Sequence, residues 1–149
     1  MRIIWMVLAG ILIFTLSSCS SKVIMGSVEP FEAATHQDGI MSVKSWITGG
    51  TKNASYHAAQ NALSRVLFDG VPGTAVKRPL FKGDRVEQKD YFDKLLSSPF
   101  DYVTVGSYSQ NDRIKTSNGI KVGVVCNVRY RNLISRLERD NVIKAFGEW

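Results

Sequence analysis

Histidine and cysteine are scarce in this chain, which contains only two of each. The histidines, His36 and His57, stand apart from each other and from both cysteines, and the acidic residues do not follow the spacing of a calcium loop. Metal sites need several ligands at short, characteristic spacings. No Gly-x-Ser-x-Gly elbow accompanies either histidine. The sequence therefore predicts no metal, no cofactor and no nucleophile–base pair, and it favours a protein that is not an enzyme.

Apolar runs long enough to span a bilayer are also absent. The longest run, Ile3–Leu16, has about 14 residues, whereas a transmembrane helix needs about 20. A run of this length, behind the basic Arg2 and ahead of small residues, is typical of the hydrophobic region of a secretory signal peptide. Two other interpretations stay open: an uncleaved anchor helix, and a plain signal peptide in which Cys19 has no role.

The residues Leu16-Ser17-Ser18-Cys19 resemble the lipobox of bacterial lipoproteins. The resemblance implies that residues 1–18 are a signal peptide that is removed. It also implies that Cys19 becomes the first residue of the mature protein and carries acyl chains such as palmitate, which anchor the protein in a membrane of the cell envelope. Ser20, with no acidic run behind it, resembles the start of lipoproteins that face the periplasm.

The charge balance of the chain is mildly basic. The full sequence has 19 Lys and Arg against 13 Asp and Glu, a net charge of +6, and loss of Arg2 with the signal peptide lowers it to +5. An excess of this size is compatible with anionic lipid headgroups or acidic envelope polymers as partners. An exported protein rarely meets nucleic acid, so we expect no nucleic-acid partner.

Composition divides the mature chain into two parts. Residues 19–39 carry Ser, Gly, Pro and scattered charge without sustained periodicity, which favours a flexible tether that contains at most a short strand over Val23–Val28. Residues 40–149 suffice for one domain with its own core. The predicted organisation is a signal peptide over 1–18, a tether over 19–39 and a single domain over 40–149.

Helical periodicity is clearest over Asn53–Phe68. Alanines recur there every four residues, at Ala54, Ala58 and Ala62. This spacing predicts a helix with a slim apolar face that approaches a sheet closely. The β-prone run Ile40–Thr48 predicts a strand ahead of it.

A second helix is predicted to begin at Asp84, because Asp84 and Glu87 have the spacing of a capping box. It is predicted to end at Ser97-Ser98-Pro99, since the residue before a proline disfavours the helical conformation.

Period-two alternation predicts a long strand over Ile120–Arg131, with Phe100–Tyr108 as its partner across the polar connection Ser109–Gly119. A last helix is predicted from near Asn132, with a break at Asp140-Asn141. The predicted class is α+β, a small antiparallel sheet with helices packed on one face, in the order β-α-α-β-β-α.

The second cysteine, Cys126, lies among valines on the inner face of the predicted long strand. This placement predicts a buried thiol that acts as a small hydrophobic group and not as a nucleophile or ligand. Because the resemblance assigns Cys19 to acylation, we expect no disulfide.

The most promising exposed feature is a basic stripe along the predicted long strand and last helix. Its members are Lys121, Arg129, Arg131, Arg136 and Arg139. Such a stripe is suited to lipid phosphates, lipopolysaccharide or an acidic partner protein. The alternative is an ordinary solubilising surface, since exposed sheet faces routinely carry such charges.

Two other functions compete with a binding role. An enzyme that acts on cell-wall or glycan substrates would need a cleft lined by His57, Asp90, Asp93 or Asp101. Asp90 and Asp93 share a helix face, but lysines adjoin both, which is typical of a solvated helix surface. A carrier of a small ligand or lipid would need a sizeable apolar pocket between sheet and helices.

The predicted elements together resemble the small α/β domains of bacterial envelope lipoproteins, such as the flagellar-assembly type and the amino-terminal domain of the TolB type. The residues that carry the resemblance are a strand that ends in glycine, the alanine-rich helix over Asn53–Phe68 and the closing helix with Leu137-Glu138. The segment from Val124 to Leu133 is also similar to lipoproteins of Bacteroidetes-like bacteria. The resemblance implies a periplasmic, outer-membrane location and supplies no catalytic residue.

These observations favour a lipid-anchored, non-catalytic binding, structural or adaptor module of an envelope assembly. Its expected partners are the membrane, through acylated Cys19, and an envelope protein.

Overall fold

The computed structural model describes residues 22–31, 38–49, 52–106 and 112–144. Within these residues, five strands form one antiparallel sheet and three helices accompany it, so the predicted α+β class is confirmed. The predicted signal peptide, Cys19 and His36 lie outside the described residues. No described helix combines the length and hydropathy needed to cross a membrane.

The elements follow the predicted order with two additional strands. The strands are β1 (Ile24–Pro30), β2 (Met41–Gly49), β3 (Val103–Val105), β4 (Arg113–Thr116) and β5 (Gly119–Val128), and the helices are α1 (Ala54–Phe68), α2 (Lys89–Ser97) and α3 (Tyr130–Arg139). The strands β1, β2 and β5 are neighbours in that order, and β3 and β4 both pair with the other side of β5. β3 pairs near the carboxyl end of β5 and β4 near its amino end.

The first strand corrects the predicted boundary between tether and domain. β1 pairs with β2 from Ile24–Thr48 to Pro30–Val43, so residues 24–30 belong to the sheet and not to a tether over 19–39. An edge strand that is largely exposed needs no apolar alternation, and the run IMGSVEP shows none. The segment between Cys19 and the sheet therefore shrinks to a few residues.

The core lies between α1 and one face of the sheet. β2 buries alternate side chains beginning at Met41, and β5 buries Val122, Val124, Cys126 and Val128 on the same face. The predicted alanine face of α1 is confirmed, because Ala54, Ala58, Ala59 and Ala62 are all buried. Such small side chains allow the helix backbone to approach the sheet closely.

One polar side chain, Asn61, interrupts this apolar face of α1. It is 3% exposed, and its amide nitrogen lies 3.0 Å from the Ser45 hydroxyl oxygen and 3.2 Å from the Gly26 carbonyl oxygen. Gly26 sits where the β1–β2 register shifts, and a Cβ atom there would lie 2.6 Å from the Trp46 carbonyl oxygen. Asn61 therefore joins α1 to the edge strand β1 and to its neighbour β2, at the point where β1 is irregular.

The second helix starts later than its capping-box pattern predicts. α2 begins at Lys89 and not at Asp84, because the Asp84 carboxylate accepts the backbone N–H of Val86 at 2.7 Å and closes a local turn. Aspartate often offers the backbone such a turn in competition with a helix. The predicted end of α2 before Pro99 is confirmed.

The strand predicted over Phe100–Tyr108 is shorter in the structure. Residues Pro99–Asp101 form a 3₁₀ turn, in which the Pro99 carbonyl accepts the N–H of Tyr102 at 3.1 Å. β3 therefore covers only Val103–Val105. The proline fixes a backbone angle suited to this turn and opposes an extended start.

The strand predicted over Ile120–Arg131 also ends early. β5 stops at Val128, and α3 begins at Tyr130 instead of near Asn132. Leu133 and Leu137 are fully buried at a spacing of four, so helical burial prevails over the alternation read from the preceding strand. The predicted break at Asp140-Asn141 is confirmed, since α3 ends at Arg139 and Asn141 adopts a positive φ of 55°.

The pairing of β3 with β5 matches the predicted partnership, but the connection Ser109–Gly119 contains a strand that the sequence pattern does not predict. Its described part forms β4, which pairs with β5 from Arg113–Val122 to Thr116–Gly119. The turn between them consists of Ser117 and Asn118.

We expect Asn61→Ala to lower the free energy of unfolding by about 1–3 kcal/mol, because it leaves the buried Ser45 hydroxyl without this partner. Chemical denaturation of the purified domain measures the change. The exposed Asn132→Ala provides a matched control and should stay within about 0.5 kcal/mol of the unsubstituted protein. Equal effects of the two substitutions would contradict the bridging role.

Candidate functional site

The five basic residues predicted to form one interaction face are distributed over separate regions. Lys121 lies near the start of β5, paired with Thr48, whereas Arg129 follows the end of that strand. Eight residues of extended chain span about 26 Å. The continuous stripe is therefore wrong, because the strand ends at Val128 and its alternation does not extend to the arginines beyond it.

Arg129 serves the fold directly. Its Nη2 donates hydrogen bonds to the carbonyl oxygens of Phe100 at 3.1 Å and Asp101 at 2.7 Å, which hold the 3₁₀ turn against the start of α3. The backbone N–H of Arg129 also bonds the Tyr102 carbonyl at 2.9 Å. With its guanidinium occupied in this way, Arg129 is poorly placed to contact a partner.

Arg136 and Arg139 face the end of their own helix. The Asp140 carboxylate accepts hydrogen bonds from the Tyr91 hydroxyl at 2.8 Å and Arg136 Nε at 2.5 Å, and it lies 3.9 Å from Arg139 Nε. The Tyr91 hydrogen bond and the Arg136 partner hold the pKa of Asp140 below its ordinary value. Burial, with the hydrogen bond to Asp140, raises the pKa of Tyr91 to about 12. This cluster joins α2 to α3 and neutralises much of the local charge.

Arg131 is the predicted site residue that borders a groove. It lies in the first turn of α3, and its Nη1 pairs with the Asp38 carboxylate at 2.5 Å. The groove has a volume of about 700 Å³ and runs between α3 and the loop over residues 75–82. This is the size range of many ligand and peptide sites.

The groove combines an apolar lining with a basic rim. Val76, Leu80, Ile134 and Ile143 contribute aliphatic side chains, and Tyr130 adds an aromatic ring. The charged side chains in the lining are four cations and one carboxylate: Lys77, Arg78, Lys82, Arg131 and Glu138. The groove is therefore suited to a ligand that carries both apolar groups and negative charge.

The loop wall of the groove is held in place by the core beneath it. Backbone hydrogen bonds join Leu80 to Val66 (3.4 Å) and Phe81 to Leu67 (2.9 Å) at the end of α1. Gly70, which has a φ of 72°, packs directly against the backbone of Arg78, and a Cβ atom on Gly70 would lie 2.6 Å from the Arg78 carbonyl carbon. A fixed wall of this kind reduces the entropy that binding would otherwise cost.

Two residues of this loop, Lys77 and Arg78, are available to bind a ligand. Within the part of the chain that the structure describes, neither Lys77 nor Arg78 forms an ion pair or a backbone hydrogen bond, and both are exposed. Neither residue belongs to the basic stripe that the sequence predicts. The missed signal was the cluster of basic residues interleaved with apolar ones in VKRPLFK.

The residues of the hypothetical catalytic cleft do not line this groove. His57 packs its ring edge-on to Tyr56 with centroids 5.5 Å apart, and Asp93 pairs with Lys89 on the exposed side of α2. Asp90 and Asp101 are exposed. Over residues 22–31, 38–49, 52–106 and 112–144, no group of three His, Cys, Asp or Glu side chains is arranged to hold a metal ion.

The Cys126 thiol is fully buried in the centre of the sheet, as predicted. Among the described residues it is a free thiol. Burial raises its pKa to about 12. The thiolate, which is the reactive form, is therefore negligible at neutral pH.

We expect Cys126 to resist alkylation by iodoacetamide in the folded protein and to react once denaturant is added, because burial suppresses both ionisation and access. Mass spectrometry of the Cys126 peptide reports the adduct. Thr104→Cys places a thiol on an exposed position of β3 and should react without denaturant. Rapid labelling of Cys126 in the native state would show that the sheet opens more readily than its burial indicates.

Comparison of the chain with family models, with curated proteins and with solved structures yields no match. The candidate site is therefore chosen from the geometry of the structure, which favours the groove between residues 75–82 and α3.

Proposed function

We propose that this protein is a lipid-anchored, non-catalytic adaptor of a bacterial envelope, and that it binds an acidic segment of an envelope protein in the groove beside α3. The observation that carries the proposal is the groove itself, with an aliphatic lining and four cations against one carboxylate. Protein interfaces combine an apolar centre with a polar rim in this way.

The open backbone of the loop wall favours an extended peptide as the occupant. The backbone groups of Lys77 and Arg78 have no hydrogen-bond partner among the described residues. An extended segment satisfies such groups by main-chain hydrogen bonds and places alternate side chains on the two sides of the strand it forms. Acidic side chains would then meet the basic rim, and apolar ones would enter the groove.

The membrane anchor in this proposal is Cys19. The lipobox-like residues before it and the short apolar run favour removal of residues 1–18 and acylation of Cys19. A single acyl chain gives only marginal membrane binding, so the proposal assigns two or three acyl chains to Cys19 for firm anchoring. The resemblance of the predicted elements to envelope lipoproteins supports an outer-membrane location, and the resemblance of Ser20 to the start of periplasm-facing lipoproteins supports its orientation.

A carrier of a small anionic amphiphile is the second candidate. The groove volume of about 700 Å³ favours it, since it matches the size of small-ligand pockets. The predicted position for such a pocket, between sheet and helices, is instead filled by fully buried side chains such as Val43, Leu63 and Val124. A carrier would therefore have to hold its ligand in the groove between α3 and residues 75–82.

Cys19→Ala should release the protein from membranes, because it removes the residue proposed to carry the acyl chains and no helix of the described residues is long and apolar enough to cross a bilayer. Fractionation of cells into soluble and membrane material measures the distribution. Cys126→Ala removes the other thiol and should leave membrane association unchanged. Equal membrane association of the Cys19→Ala variant and the unsubstituted protein would refute the anchor.

A photo-crosslinking amino acid at Lys77 should capture an envelope protein in intact cells, whereas the same group at Lys94, on α2 and outside the groove, should not. The crosslinked protein is identified by mass spectrometry, purified, and its affinity measured. Lys77→Glu with Arg78→Glu should weaken binding about tenfold, since each exposed ion pair contributes about 0.7 kcal/mol.

Lys94→Glu is the control for charge reversal and should leave the affinity unchanged. High salt should weaken the complex of the unsubstituted protein. Crosslinks at Lys77 to lipid in place of protein would favour the carrier. Equal affinities of the groove variant and the Lys94→Glu control would contradict the groove as the binding site.

A further inference from the structure

The chain enters the sheet at one defined end, which we call the entry end. A Cβ atom on Gly49 would lie 3.0 Å from the Lys22 carbonyl oxygen, and one on Gly119 would lie 3.4 Å from the Gly49 Cα. The start of β1, the end of β2 and the start of β5 therefore meet there. Lys22 is three residues from Cys19, a distance of about 11 Å at most.

The entry end carries charge of one sign. Lys22, Lys52, Lys115 and Lys121 all lie at or beside it, and none pairs with a carboxylate of the described residues. The sequence has no Asp or Glu from position 39 to 68 or from 113 to 137, and these ranges include the end of β2 and the whole of the β4–β5 hairpin. An uncompensated cluster of lysines attracts an anionic surface.

Exposed apolar side chains accompany these lysines. Ile24 pairs with Thr48, Thr48 with Lys121, and Lys121 with Ile114, so the four residues form one row across the sheet. Directly paired residues share a face, and Thr48 and Lys121 point away from the α1 side. Ile24 is 45% exposed and Ile114 is 48% exposed. We call these four residues the entry row.

An aromatic side chain lies directly behind the entry row. Trp46 is two residues before Thr48 on the same face of β2, and the Lys121 ammonium lies 4.8 Å from the centroid of its ring. The ring rests on Gly123, where a Cβ atom would be 2.9 Å from it. Isoleucine, lysine and tryptophan side by side are suited to the boundary between headgroups and acyl chains of a bilayer.

We propose that the entry row and its flanking lysines form a membrane-docking surface that rests on a bilayer containing anionic phospholipids. The inference rests on the proposed acylation of Cys19, which would hold this surface within about 11 Å of the membrane. The short distance gives the lysines a high effective concentration of headgroups, so weak contacts suffice to orient the domain.

Docking by the entry end fixes where the groove points. The groove begins at Tyr130, beyond the other end of β5, and the ten residues of that strand span about 33 Å. Docking by the entry end therefore places the groove at the end of the domain away from the membrane, where partners in the periplasm can reach it.

Spin labels on the acylated protein, reconstituted in vesicles, test this orientation. Ile114→Cys places a label in the entry row, and Thr104→Cys places one on the same sheet face at the other end, since Thr104 pairs with Asn127. In vesicles that contain phosphatidylglycerol, we expect the Ile114 label to collide more often with oxygen and less often with a water-soluble nickel chelate. The Thr104 label should keep its aqueous values in the same vesicles.

The charge dependence provides the second measurement. Lys115→Glu with Lys121→Glu should return the Ile114 label to aqueous values, because each surface lysine contributes about fivefold to binding of an anionic membrane. Lys22→Glu with Lys52→Glu, both outside the regular strands, should act in the same direction without touching strand pairing. In vesicles of phosphatidylcholine alone, the Ile114 label should be less deeply immersed than in vesicles that contain phosphatidylglycerol.

The outcomes separate the two proposals. Flotation of the vesicles in a density gradient reports whether the protein is attached to them. If the protein floats with the vesicles but both labels collide with oxygen and the nickel chelate as they do in water, docking is overturned and the anchor stays intact. Failure to float would overturn the anchor. Immersion of both labels to the same depth would contradict the stated orientation, and immersion that ignores lipid charge and the lysine substitutions would contradict the role of the lysines.

Discussion

The buried amide of Asn61 is the interaction on which the arrangement of this domain depends. It reaches from α1 to Ser45 on β2 and to Gly26 at the irregular point of β1, in a layer that is otherwise apolar. A polar group so enclosed is costly unless it is bonded, so helix and strands are compatible only in the relative position that satisfies it. Backbone pairing with β2 holds β1 in the sheet, and Asn61 ties α1 to it at Gly26. The position of β1 in turn sets how near the folded domain begins to Cys19.

The parts of the fold that could be predicted from sequence are those in which periodicity and burial coincide. The alternation in β2 and the alanine spacing in α1 each describe one face against the core, and the structure confirms both. The exposed strand β1 shows no such alternation, because its position depends on backbone pairing with β2 and on the reach of Asn61, which no local pattern reports. At Asp84 and Pro99 the prediction fails for a different reason. A local turn forms at each residue, so α2 and β3 begin later than the sequence pattern predicts.

The candidate site was harder to predict than the fold, because its residues come from a loop and a helix that are distant in sequence. The sequence identifies Arg131 as a possible contact, but the predicted stripe requires a strand that continues past Val128, where β5 ends. Once the chain turns into α3, Arg129 bonds to backbone carbonyls and Arg136 to a carboxylate, so basic residues near in sequence acquire different roles. Lys77 and Arg78 join Arg131 only through the packing of residues 75–82 on the end of α1, which is a tertiary effect.

The contact between Trp46 and Gly123 has a consequence for how this sequence can change over time. The two residues are direct cross-strand partners, and the indole occupies the space that any side chain at position 123 would require. A larger residue at 123 is tolerable only if position 46 becomes smaller, and a smaller residue at 46 leaves a space that a larger one at 123 can fill. Relatives of this protein should therefore vary at the two positions together, with their combined side-chain volume roughly conserved.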